Sequence, residues 1–97
     1  MAIDDKTISD FLKSEDKINH YNPMLKALWY DGNGDWEKAH DQVDSLDGKP
    51  AARIHAYLHR KEGDQWNADY WYKRAGTPRP NSSLEEEWED LLSQYLK

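Results

Sequence analysis

Cysteine is absent from the 97 residues, and with it any disulfide or thiolate zinc site. Long apolar runs are absent too. No stretch approaches the roughly 20 residues that a membrane span requires, so no membrane partner is expected. Residues 1–6 hold two aspartates and no apolar stretch, unlike a secretory leader, and a cytoplasmic location is the expectation. Positive charge is in short supply: 13 Lys and Arg face 19 Asp and Glu, for a net charge of -6. Phosphate backbones and anionic lipid would be repelled, which argues against nucleic acid as a partner. Glycine-rich phosphate loops are missing, since Gly32, Gly34, Gly48, Gly63 and Gly76 all fall at expected helix ends. No serine or threonine sits in a nucleophile motif, and the many carboxylates lie on expected solvent faces. Catalysis is therefore the weaker expectation, and no cofactor is expected.

What the chain does have is aromatic side chains, 5 Trp and 6 Tyr. Disordered segments are poor in them, so residues 1–97 are expected to fold as one domain with a core of Trp, Tyr and Leu. The spacing of apolar residues is helical throughout. Ile8, Phe11, Leu12 and Ile18 predict a helix between Asp5 and Asn19, capped by Thr7. Pro23, with Asn22 as its cap, opens a second helix that Gly32-Asn33-Gly34 must end. Asp35 caps a third, whose face is Trp36, Ala39, His40, Val43 and Leu46. Pro50 opens a fourth, with a stripe of Ala51, Ile54 and Leu58 flanked by His55 and Tyr57. Gly63 ends it, and Asp64 caps a fifth holding Ala68, Trp71, Tyr72 and Ala75. After Gly76 and two prolines, Ser82 or Ser83 starts the last helix with a capping box. Leu84, Trp88, Leu91, Leu92, Tyr95 and Leu96 form its apolar stripe, and Glu85, Glu86, Glu87, Glu89 and Asp90 its acidic outer face. No segment alternates as a strand does. The expected fold class is all-α, about six helices, with two antiparallel helical hairpins between an N-terminal and a C-terminal helix.

The two hairpins share a pattern. A shift of 29 residues lays Ala27 on Ala56, Gly34 on Gly63, Asp35 on Asp64 and Ala39 on Ala68. Both copies resemble tetratricopeptide-type repeats, in which a Gly-Asp turn is followed by a small residue, an aromatic, an alanine and a closing proline. The second copy matches with Gly63-Asp64, Ala68, Tyr72, Ala75 and Pro80. The first keeps Gly34-Asp35 and Ala39 but has Val43 and Leu46 in place of the aromatic and the alanine. Repeat one would cover about 23–47, repeat two about 50–76, and a capping helix about 83–96. A spacing of 29 is shorter than the usual 34. The stretch from Ala51 to Ala75 is also similar to small uncharacterised bacterial proteins of tetratricopeptide type, a resemblance that carries no activity with it.

Two functional expectations follow. The resemblance implies an interaction module that binds a protein or peptide segment in a groove between hairpins. Trp29, Tyr57, Arg60, Tyr70, Trp71 and Arg74 are the candidates to line that groove, because the aromatics outnumber what one stripe can bury and the cations can clamp carboxylates. Dimerisation through Trp88, Leu92 and Tyr95 is a further alternative. The second expectation is a small-molecule or metal-binding protein, or an enzyme, using His40, His55, His59 and the aromatics. His55 and His59 are neighbours on one helical face, and His40 lies on the helix before. Residue 56 is Ala rather than Glu, so the zinc-protease pattern fails. Both histidines of the fourth helix flank its apolar stripe, where buried histidine commonly hydrogen-bonds a carboxylate or carbonyl; that accounts for the trio better than a metal does, and no metal is expected. Asp31-Gly32-Asn33-Gly34-Asp35 starts like a calcium loop but places Trp36 and Gln42 where Gly and Glu are required, so it is a turn and cap. Convergence of the histidines with a carboxylate in a closed pocket would favour the second expectation. Histidines each satisfied by backbone, beside an open groove lined by Tyr or Trp, would favour the first.

Overall fold

The computed structural model describes residues 3–96 of the chain. Every regular element among them is helical: α1 (Asp5–Leu12), a 3-10 turn (Glu15–His20), α2 (Pro23–Gly32), α3 (Trp36–Val43), α4 (Lys49–Lys61), α5 (Gln65–Ala75) and α6 (Leu84–Tyr95). Side-chain caps fix most of the starts. The carboxamide of Asn22 accepts the Leu25 amide, Asp35 accepts that of Lys38, and Asp64 accepts that of Asn67. Ser83 and Glu86 complete the capping box of α6. Each cap of this kind stabilises its helix by about 1 kcal/mol.

Two of the expected boundaries are corrected. The N-terminal helix ends at Leu12 instead of continuing to Asn19, and its cap is Asp4, whose carboxylate accepts the Thr7 amide. The break is made by Ser14. Its buried hydroxyl donates to the Phe11 carbonyl at 2.5 Å and meets the Tyr21 hydroxyl at 2.8 Å, so it competes with the helical ladder. α3 ends at Val43, and Leu46, expected on its apolar face, lies beyond the helix and is 39% exposed.

α2 packs on α3, and α4 on α5, as two hairpins whose connections span only a few residues. Ala39 in the first pair, and Ala56 and Ala68 in the second, are fully buried. Their lack of bulk lets the helix axes approach. Leu28, Ile54, Leu58, Leu91 and Leu92 are sealed from solvent and join Phe11, Tyr57 and Trp88 in the main core. Each such side chain contributes roughly 1.5–3 kcal/mol by burial. Gly32 has a steric reason to be glycine, because a Cβ there would meet Leu12 Cδ2 at 2.5 Å and Trp88 at 2.9 Å.

α6 lies across α2 and α4, the first helix of each hairpin, and spends Trp88 and Leu92 in the chain's own core. The Trp88 indole donates to the Leu28 carbonyl at 3.0 Å. The acidic face expected of α6 has one member that is not a solvent residue. Glu87 is 1% exposed and receives Arg53, Arg60 at 2.6 Å and the Tyr72 hydroxyl at 2.6 Å. Arg60 also donates to the Ser82 carbonyl, and the Arg53 guanidinium lies over the Tyr72 ring at 5.1 Å. Burial and the bond to Glu87 hold the Tyr72 hydroxyl above its ordinary range, so it remains a donor. A second buried carboxylate, Asp31, receives Tyr57 at 2.7 Å and Lys61 at 2.8 Å and ties α2 to α4. No helix among the described residues is long and apolar enough to cross a membrane.

Candidate functional site

The junction between the two hairpins gathers three of the four histidines. α3 and α4 pack against each other, which brings His40 of α3 onto the face of α4 that bears His55 and His59. The α4 pair, one turn apart, stacks with centroids 4.9 Å apart. The His40 ring stands nearly perpendicular to both, 4.6 Å from His55 and 5.3 Å from His59. Nε2 of His40 and Nε2 of His55 are 2.9 Å apart, so one of them donates to the other. One ring nitrogen from each of the three lies within 4.8 Å of the other two.

Aromatic side chains wall the trio. Trp36 stacks on His40 at 5.0 Å and is held there by its indole N–H, which donates to the Leu58 carbonyl at 2.8 Å. Trp71 of α5 stacks on the far side of His55 at 3.9 Å. Two carboxylates approach from the ends. Asp44 Oδ1 is 3.8 Å from His40 Nε2 and 4.0 Å from His55 Nε2. Glu62 Oε2 is 2.6 Å from His59 Nδ1. Among the described residues, none of these three rings is hydrogen-bonded to a backbone group.

His55 is 3% exposed. Burial, reinforced by His40 and His59 and opposed by Asp44, pulls its pKa down to about 4. It is therefore a neutral imidazole at pH 7, with a lone pair to offer. His59 hydrogen-bonds Glu62 through Nδ1, which leaves Nε2 as its free nitrogen. That is the arrangement of a metal-ligating histidine oriented by an outer carboxylate. Tetrahedral zinc with Zn–N bonds of about 2.0–2.1 Å holds its ligand nitrogens about 3.3 Å apart. The His40–His55 pair stands at 2.9 Å, and His59 offers a ring nitrogen within 4.8 Å of both.

The other candidate residues are dispersed. Tyr57 and Arg60 point inward and are engaged by Asp31 and Glu87 beneath α6. Trp29 is half-buried, edge-on to Tyr30 at 5.3 Å, and its indole N–H is the one buried side-chain donor without a partner among the described residues. Trp71 belongs to the histidine wall. Tyr70, 45% exposed, and Arg74 remain on the outer side of α5, where the guanidinium donates to the Tyr70 hydroxyl at 3.0 Å and lies over the Trp71 ring. Trp66, 78% exposed and stacked on Tyr70 at 6.4 Å, extends that surface and was not singled out as a site residue by sequence. Asp44, Glu62 and Trp36 were also missed as site residues. Their signal was legible, since Asp44 follows His40 by four residues, Glu62 follows His59 by three, and Trp36 precedes His40 by four.

No family model matches this chain, and neither a curated protein nor a solved structure is significantly similar to it.

Proposed function

We propose that the chain binds a divalent transition-metal ion, zinc or nickel by the chemistry of the donors, through His40, His55 and His59. The observation that carries this reading is the convergence of three ring nitrogens within 4.8 Å from two different helices, with Glu62 seated on the outer nitrogen of His59. Packing alone gives no reason for three imidazoles to meet. Like groups that could each become cationic repel, whereas one divalent ion satisfies all three lone pairs at once. Cobalt(II) reports the site directly, because three imidazoles in a tetrahedral field give intense visible absorption. The expected result is one equivalent bound with that spectrum, competed away by zinc, and lost in His40→Ala, His55→Ala and His59→Ala. Featureless, non-saturating titration of the folded wild-type protein would sink the reading.

A second reading, docking of a protein or peptide segment, is favoured by one observation. Trp66 and Tyr70 form an exposed stacked pair beside Arg74 on the outer face of α5. On this reading the hairpins are tetratricopeptide-like units and the partner segment brings an apolar anchor and a carboxylate. The surface differs from the inter-hairpin groove expected from sequence, because α6 covers the Tyr57 and Arg60 face of α4. Crosslinking in cells with wild-type and Trp66→Ala/Tyr70→Ala chains checks it, and identical crosslinked species from both would rule it out. Both readings assume a cytoplasmic location, which cell fractionation tests.

A further inference from the structure

A cleft of about 320 Å³ opens beside the histidines, bounded by the 44–48 connection, the start of α4 and the outer edge of α5. It shares two walls with the trio. Asp44, whose Oδ1 stands within 4.0 Å of Nε2 on both His40 and His55, also lines the cleft. Trp71, stacked on His55, is the other. None of the three histidines lines the cleft itself, and Asp44 is the side chain that stands between it and the Nε2 atoms of His40 and His55. Two cations line the same space, Lys49 from the first turn of α4 and Arg74, whose guanidinium is held 5.2 Å from the centre of the Trp71 ring, and Asp47 joins Asp44 as a second carboxylate, so the positive excess that an anion needs comes from the ion. The first turn of α4 adds partial positive charge. It begins after Gly48 with no side-chain cap, whereas each of the other five α-helices has its first amides met by a side chain.

Resting on the metal reading above, we infer that this cleft takes a small oxyanion, a carboxylate or a phosphate monoester, and that one of its oxygens fills the fourth position on the ion. Three neutral imidazoles leave the charge of a divalent ion uncompensated, and an open fourth position is the mark of a zinc site that handles a ligand. Lys49 and Arg74 hold the rest of the anion. Asp44 is the side chain that can compete, since it reaches the same two nitrogens. Its side chain is largely exposed at the end of α3, free to swing aside. The volume lies at the small end of ligand sites, which limits the ligand to a few heavy atoms beyond the oxyanion.

Calorimetry on the full chain tests this in two stages. Zinc is titrated first, then acetate and methyl phosphate into the zinc-loaded protein, using wild type, Lys49→Ala/Arg74→Ala and Asp44→Asn. The expected result is anion binding to zinc-loaded wild type that weakens at least tenfold in the double variant, whose zinc affinity stays within about threefold of wild type. Asp44→Asn should keep zinc and bind the anion at least as tightly. The tighter of the two probes identifies the ligand class. Zinc binding with neither anion bound, or equal anion binding by wild type and the double variant, overturns the cleft while leaving the metal site standing. A hundredfold loss of zinc affinity in Asp44→Asn would make Asp44 the fourth ligand and also overturn the open position. Absence of zinc binding removes the metal reading itself, together with the metal-bound oxygen.

Discussion

Two of the polar clusters inside this small helical protein are built on opposite rules. At Glu87, one buried carboxylate meets two guanidiniums and a tyrosine hydroxyl, so every group has a complementary partner from within the chain. At His40, His55 and His59, three groups of one kind meet each other and share a single internal hydrogen bond. The first cluster is complete and explains how α6 is pinned to α4 and α5. The second has no shared acceptor at its centre, only Asp44 and Glu62 at its ends, and a metal ion is what we propose completes it. The lesson is that burial of polar groups alone does not separate a structural cluster from a candidate site, whereas a mismatch in what those groups can exchange gives a reason to test one.

The contrast is broken most forcefully at Glu87. Replacing it by alanine leaves Arg53, Arg60 and Tyr72 facing one another without their acceptor, and a loss of about 3–5 kcal/mol is expected. Urea denaturation measures it, and the fraction that remains folded should hold zinc as wild type does. An unchanged midpoint would mean that the cluster is not structural.

Acid separates the clusters next. The His55 pKa is depressed in the fold to about 4 from 6.5, mainly by burial, with His40, His59 and Asp44 the titratable groups facing it. The unfolded chain therefore takes up a proton near pH 6.5 that the metal-free fold refuses until about pH 4. The His55 contribution is whole above pH 6.5 and is lost as pH falls through that window, by up to about 3 kcal/mol. A His55→Phe variant should show a shallower decline in stability between pH 6.5 and 4. Parallel pH profiles for the two proteins would contradict this.

Metal should then reverse the deficit. At a free zinc concentration one hundred times Kd, stabilisation of about 2.7 kcal/mol is expected in thermal melts, and none in His59→Ala. The smallest effect belongs to Glu62. Glu62→Gln keeps the shape but weakens the anchor of His59 Nδ1, and a tenfold to hundredfold loss of zinc affinity should follow with little change in metal-free stability. Equal affinity would show that Glu62 is a bystander.

Much of the architecture was legible in the residues. Proline, glycine and the Asn22, Asp35, Asp64 and Ser83 caps fixed helix starts and stops because each acts within one turn. Ser14 was not legible as a break, since its two bonds depend on where Tyr21 comes to lie. Glu87 was misread because periodicity counts a glutamate among four other acids as solvent-facing. Only the arrival of Arg53 and Arg60 from α4 makes its position buried. The histidine pair on α4 could be read from spacing, and so could the Asp44 and Glu62 partners. That His40 closes the group depends on how α3 packs against α4, a tertiary fact with no local signature. The same holds for Tyr57 and Arg60, whose types suit a binding groove but whose partners Asp31 and Glu87 lie 26 and 27 residues away in the chain.

The most direct test of the central claim is nitrogen-15 NMR of the histidine rings during a zinc titration. The chain has four histidines, and His20, exposed in the 3-10 turn, is a built-in control. The account predicts that ring nitrogens of His40, His55 and His59 shift together and saturate at one equivalent, while those of His20 stay in place. Shifts at His20 alone, or none at the trio, would contradict it.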